Sequence, residues 1–379
     1  MGRPAGAGAR RAAPGHRRAV QRRLRGPDRG VLQAPGGAQG VSGNGGDEPG
    51  AVALAVSLGD PGGVGPEVVA AAIADGRASA AGIHMIVCGD GGTLARAADL
   101  TGTRAALEAA LGAGRVRIDA GPDAGAARAG SGAIAARRGA LSLGWVERGI
   151  ELVKGGAAAG LVTGPISKAH WHAAGAAWPG HTELLAERFA SPESGMVFVG
   201  PRLRVALATV HVPLERVAGQ LTLDAVTRAI RLAHWACRAE GVERPRVAVA
   251  GLNPHAGEGG LLGSDEARVI GPAVAQARGE GIAAVGPVSG DAVFGQALAG
   301  AHDAVVAMYH DQGLIPVKLI DGRLAVNVTA GLRWAGRAVV RASPAHGTAE
   351  DIAWTGRADA RSMIEALLVA ARLARRTAV

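Results

Sequence analysis

From residue 51 onward the chain alternates short, continuous apolar runs with longer segments of helical period. The apolar runs at 51–58, 83–87, 116–118, 160–163, 205–210, 246–250 and 304–307 predict strands buried on both faces. Helical spacing predicts helices over 93–111, 140–154, 223–240 and around 266–279, with further helices opening at Pro66, His181 and Gly290. Strand followed by helix, repeated along the chain, implies βαβ units. The expected class is therefore α/β, with a largely parallel sheet covered on both faces and its ligands at the C-terminal ends of strands.

Residues 1–50 have no such period. They hold nine arginines against three acids, so most of the net charge of +9 sits there and the remainder has an ordinary balance. Such a segment cannot bury enough surface to order itself, and the expectation is a disordered basic extension. No apolar stretch follows Arg10-Arg11, which argues against an export signal. A nucleic-acid role would rest on this tail alone, so no nucleic-acid partner is expected. No run of about 18 apolar residues occurs, so no membrane span is expected either. Cys88 and Cys237 stand far apart in apolar surroundings, as two buried thiols of a reducing, cytoplasmic setting. With 60 glycines in the chain, glycine counting is uninformative and only spaced glycines carry meaning. The turn Gly59-Asp60-Pro61-Gly62-Gly63-Val64-Gly65-Pro66-Glu67 matches neither a dinucleotide fingerprint nor a P-loop, and close packing is its expected role.

The candidate chemistry gathers after strands. His211, His255 and His310 each follow a predicted strand beside Pro or Gly, and three histidines with an open position make a catalytic metal site. The stretch 308–318, Met-Tyr-His-Asp-Gln-Gly-Leu-Ile-Pro-Val-Lys, adds Asp311 and a cationic Lys318, although Gly313 and Pro316 also allow a plain polar turn. His16, His84, His170, His172, His234 and His302 lack this context and are expected to be structural. His346, in a segment 345–349 expected to open a helix, could belong near the site.

The blocks GDPGGVGPE, TGPISK, GHTE, HVPL, GLNPHAGEGG, MYHDQGLIPVK, NVTAGL and HGTAEDIAWTG, in this order over 51–379, resemble the 4-hydroxythreonine-4-phosphate dehydrogenase family. The resemblance implies a two-lobed α/β fold with a parallel or mixed sheet, like isocitrate and isopropylmalate dehydrogenases. The lobes would run roughly 51–165 with 330–379, and 166–329. It implies a homodimer with its site at the interface, binding NAD or NADP without a Rossmann fingerprint. A divalent metal (Zn, Mg or Co) would be held by His211, His255 and His310, one of them from across the interface. His181, Thr182, Lys318, Asn327 and Arg341 would bind substrate, His181 or Lys318 would shuttle the proton, and Asp291 and Asp311 would act near the metal. The implied reaction is oxidation of 4-phosphohydroxy-L-threonine to a 3-keto acid that decarboxylates to 3-amino-2-oxopropyl phosphate. The alternative is a paralogue acting on a four-carbon sugar-acid phosphate or an aromatic cis-dihydrodiol carboxylate. Two departures bear on the choice. About five residues around 333–337 look inserted, so that Arg333 or Arg337 competes with Arg341 as the anion-binding arginine, and Ala345 stands where the family commonly has an acid.

Overall fold

The computed structural model describes residues 50–120 and 131–377. The expected extension, Gly50 apart, lies outside the described residues. Eleven strands, β1 (Val52–Ser57), β2 (Ile83–Cys88), β3 (Val116–Asp119), β4 (Gly160–Thr163), β5 (Gly195–Val199), β6 (Arg204–Leu207), β7 (Arg246–Ala250), β8 (Ala283–Val288), β9 (Ala304–Ala307), β10 (Val326–Trp334) and β11 (Arg337–Pro344), form one sheet. Their order is β3-β2-β1-β4-β11-β10-β5-β6-β9-β7-β8. The sheet is mixed: the pairs β11/β10, β10/β5 and β5/β6 are antiparallel and the others parallel. The α/β expectation holds, and the antiparallel centre is the part that strand–helix alternation does not encode.

Period-two burial shows why these runs are strands. In β9, Ala304 and Val306 pack into the larger core while Val305 and Ala307 pack into a second cluster on the other face. β7 divides its residues the same way, Val247 and Val249 against Ala248 and Ala250. Both faces are covered, so the runs read as continuously apolar. Helix Leu223–Ala239 starts where the Thr222 hydroxyl accepts the Ala225 N–H at 3.1 Å, and it buries Val226, Ala229, Ile230, Ala233 and Cys237 at helical spacing. Both thiols are buried, and burial pushes each up to about 12.

Several expectations are corrected. The helix expected at 93–111 is two, Gly91–Leu100 and Arg104–Gly112, because Gly102 takes a left-handed φ of 67° between them. Residues 308–318 do not form a polar turn: Gly313 and Pro316 lie inside helix His310–Ile320. A Cβ on Gly313 would sit 2.8 Å from Leu207 and 3.0 Å from Val205, so this glycine serves close helix–sheet packing. Residues 345–360 form no helix; the last one spans Arg361–Thr377. The expected strand at 205–210 ends at Leu207. Residues 333–337, where the sequence looks longer than the family, lie at a β-hairpin tip, with Ala335 and Gly336 at φ 48° and 81° joining β10 to β11. The turn after β1 does serve close packing, since a Cβ on Gly59 would lie 2.4 Å from the Pro165 carbonyl oxygen. No helix among the described residues is long and apolar enough to cross a membrane.

Candidate active site

Strand order explains why the three histidines approach one another. β6, β9 and β7 are parallel neighbours, so the loops carrying His211, His310 and His255 leave the same edge with His310 in the middle. The His211 and His310 rings stand 5.8 Å apart and line one cleft of about 250 Å³. Burial, then the charges of Lys168 and His310, hold His211 below the ordinary histidine range, so its imidazole is neutral at neutral pH. The His310 Nδ1 is 2.6 Å from the Asp311 carboxylate, which orients the ring and leaves Nε2 free toward a ligand. Gln312 fixes the strand end behind it. Its Oε1 accepts the Met308 N–H at 2.6 Å, and its Nε2 donates to the Gly251 carbonyl at 2.8 Å, tying β9 to the β7 loop.

His255 does not join them in one chain. Residues 255–259 all have positive φ, a left-handed course that leaves His255 exposed and outside the cleft lining. The loop is held there by Glu266, which accepts the N–H groups of Leu252 at 2.9 Å and Asn253 at 2.8 Å. Burial pushes Glu266 up, but these bonds outweigh it and the carboxyl titrates below its ordinary range. Asp291 is likewise exposed and outside the cleft. It accepts the Ser289 hydroxyl at 2.5 Å, and it feels the charge of His255. His255 and Asp291 thus form a second locus. Among the described residues, one trio of possible metal ligands converges, Asp60, His170 and Glu350. Arg138 already pairs with both of its carboxylates, reaching Asp60 at 2.7 Å and Glu350 at 2.9 Å.

The cleft gathers the remaining expected residues: His181, Thr182, Lys318, Asn327, Arg341 and His346 all line it. Arg341, on β11, is 3% exposed, and its hydrogen-bond partners among the described residues are hydroxyls. Its Nε and Nη2 donate to Thr163 Oγ1 at 3.2 and 2.6 Å, and its Nη1 to Thr329 Oγ1 at 3.2 Å. Burial pushes the guanidinium down to about 9, so it remains cationic at neutral pH. A buried cation held by neutral groups lacks a counter-charge, and an anion entering the cleft supplies one. Arg333 and Arg337, by contrast, are exposed at the hairpin tip.

His181 opens helix His181–Arg188, with Trp171 edge-on at 5.2 Å. Its Nε2 is enclosed and has no hydrogen-bond partner. Burial and the charges of Arg341 and Lys168 hold it well below the ordinary histidine range. The Asn327 Oδ1 is enclosed and unpartnered in the same way. Two orphaned polar atoms beside an uncompensated cation describe a site built for a polar, anionic molecule. Lys168, Glu183 and Ser343 also line the cleft and were not singled out from the sequence. Thr163 and Thr329 were missed as well. The only signal for Lys168 and Thr163 was their place in the Thr-Gly-Pro-Ile-Ser-Lys block that begins at the last residue of β4.

Comparison with known proteins is consistent along nearly the whole described chain. The family described as pyridoxal phosphate biosynthetic protein PdxA matches residues 82–370. A 4-hydroxythreonine-4-phosphate dehydrogenase of Beijerinckia indica is 42% identical over 330 residues, 84% of this chain and 94% of that protein. A D-threonate 4-phosphate dehydrogenase of Salmonella typhimurium is 38% identical over 329 residues, 85% of this chain and 98% of that one. Among solved structures, 4-hydroxythreonine-4-phosphate dehydrogenase from Klebsiella pneumoniae has 37% identity and a TM-score of 0.73, covering 86% of this chain and 98% of its own.

Proposed function

The chain belongs to the family of the pyridoxal phosphate biosynthetic protein PdxA, and on that premise we propose that this NAD(P)-dependent dehydrogenase oxidises 4-phosphohydroxy-L-threonine. The product is a 3-keto acid that loses carbon dioxide to give 3-amino-2-oxopropyl phosphate. The observation that carries the reading is Arg341, a cleft guanidinium buried against hydroxyls. It takes the substrate's anionic end, assisted by the Asn327 amide and by the N–H groups that open the helix at His181 and Thr182. His181 stays neutral and holds a substrate oxygen at its open Nε2, which leaves Lys318, exposed at the cleft, as the group that moves a proton. Roughly, 51–165 with 330–379 and 166–329 form the two walls.

The donor chemistry also fits a divalent metal such as zinc, magnesium or cobalt: a neutral His211 beside a His310 oriented by Asp311. His211, His310 and the partner's His255 would hold the ion, which when bound supplies Lewis-acid polarisation of the reacting oxygen. Asp291 would reach the site with that His255. A homodimer is supported by the exposed apolar side chains Leu214, Leu261, Ile315 and Leu319, which flank the same loops.

The nicotinamide cofactor needs a second pocket continuous with the cleft. One of about 210 Å³ shares His346 with it. Its apolar walls come from Val64, Val68, Ala349 and Ile352, a surface suited to an adenine ring.

A second reading, a four-carbon sugar-acid phosphate without the amino group, is favoured by the charge of the cleft. Among the described lining residues Glu183 is the one carboxylate, against Lys168, Lys318 and Arg341, and Ala345 adds none. Formation of reduced nicotinamide by metal-loaded protein, with and without chelator, tests both readings when 4-phosphohydroxy-L-threonine, D-threonate 4-phosphate and an aromatic cis-dihydrodiol carboxylate are offered in parallel. The expected result is chelator-sensitive turnover of the first. Preference for the second moves the assignment to the sugar acid, and no turnover of any of them removes the dehydrogenase reading.

A further inference from the structure

The pocket that shares His346 with the cleft carries a charge pattern of its own. The segment that brings Ala349 and Ile352 to it is held by Glu67, a fully buried carboxylate that accepts the N–H groups of Trp354 at 2.5 Å and Gly356 at 2.8 Å. The Val64 N–H donates to the Thr348 carbonyl at 2.9 Å, so the segment from Thr348 to Gly356 is pinned to helix Gly65–Asp75 at both ends. Arg357 follows directly. It is exposed, lines the pocket, and has no hydrogen bond or ion pair among the described residues.

Asp359 also lines the pocket, and an acid there would ordinarily accept a ribose hydroxyl and repel a phosphate. Its carboxylate is already engaged. Oδ1 accepts from the Arg361 backbone N–H at 3.0 Å and Nε at 3.1 Å, Oδ2 from Arg361 Nη2 at 2.6 Å, and Oδ2 also pairs with Arg323 Nη1. The rim therefore sets the guanidiniums of Arg323 and Arg357 against one carboxylate, Asp359, whose oxygens are occupied by Arg323 and by Arg361 behind it. An apolar slot of adenine size with an unpaired arginine at its mouth suits a second phosphate on the ribose.

Resting on the dinucleotide reading above, we propose that this pocket selects the 2′-phosphorylated cofactor, NADP, through Arg357 with Arg323 beside it. A single charge-assisted guanidinium–phosphate contact at a solvent-exposed rim is worth on the order of tenfold in affinity.

Titration calorimetry on the full chain with adenosine 2′,5′-bisphosphate and adenosine 5′-monophosphate reads this directly, without turnover, and NADP and NAD are titrated alongside. The bisphosphate and NADP are expected to bind about tenfold more tightly than their counterparts, and Arg357→Ala to bring both ratios to about one. Because Arg357 has no partner, that variant is expected to fold like the parent, with a thermal melt as the check. Equal affinities, tighter binding of the monophosphate and NAD, or a preference that survives Arg357→Ala would overturn the proposal while the dinucleotide reading stands. If none of the four compounds binds, the dinucleotide reading fails and the proposal with it.

Discussion

Arg341 joins stability and function in one side chain. A guanidinium with 3% exposure and hydroxyl partners costs folding energy that an internal carboxylate would have offset, and in the proposed function the uncompensated charge is what an anionic substrate meets. Its folded pKa, about 9, lies below the ordinary guanidinium range. The unfolded chain therefore holds the proton more tightly, and the penalty is fully present below about 9 and relieved as pH rises through that value. Arg341→Met should accordingly lower kcat/KM by about 100-fold or more while leaving denaturant stability near neutral pH unchanged or raised by roughly 1 kcal/mol. That stability gain should shrink at pH above about 9, where the wild-type group is losing its charge. Loss of stability equal to an ordinary core mutation would mean that the arginine is a structural residue. The sequence pointed to Arg341 but left Arg333 and Arg337 in competition with it, because a hairpin tip and a buried strand position look alike until the register of β10 with β11 is known. His181 was legible as a helix-opening histidine, but its unpartnered Nε2 depends on Trp171 and on strands distant in sequence.

Elements explain why the metal-type histidines were visible while their geometry was not. Each follows a strong apolar strand, a local pattern. The course of 255–259, however, is five successive positive φ angles fixed by Glu266, which no period signals. Helix His310–Ile320 was hidden for the opposite reason: Gly313 and Pro316 mark a turn by propensity, and packing of that glycine on β6 overrides it. β5, β8, β10 and β11 also escaped notice, with glycine bordering β5 and interrupting β8 and β10. This helix turns Ile315 and Leu319 outward, four residues apart on one face, while His255 leaves its own cleft. If a second copy completes the site, inactive His211→Ala and His255→Ala subunits should complement each other. Random mixing leaves about a quarter of sites with all three histidines, so unfolding and refolding the two together should restore about a quarter of wild-type activity. No recovery, with native dimers confirmed by sedimentation, would show that each chain uses its own His255.

At the scale of the molecule, the α/β class and the side of the sheet that bears the chemistry were legible from alternation alone. The antiparallel centre β11-β10-β5-β6 was not. Yet that centre makes the cleft, since it brings Arg341 on β11 and Asn327 on β10 into one wall with His211 beyond β6. Period-two burial is identical for parallel and antiparallel strands buried on both faces, so the sequence pattern cannot distinguish them. The central proposal is that this dehydrogenase recognises its substrate through an anionic group at the buried Arg341. The most direct test compares kcat/KM for 4-phosphohydroxy-L-threonine with that for its dephosphorylated counterpart, following nicotinamide reduction by wild type and by Arg341→Met. The account predicts that wild type loses at least about 100-fold on removal of the phosphate and that the variant shows little further discrimination between the two. Comparable turnover of both compounds by wild type, or an unchanged preference in the variant, would contradict it.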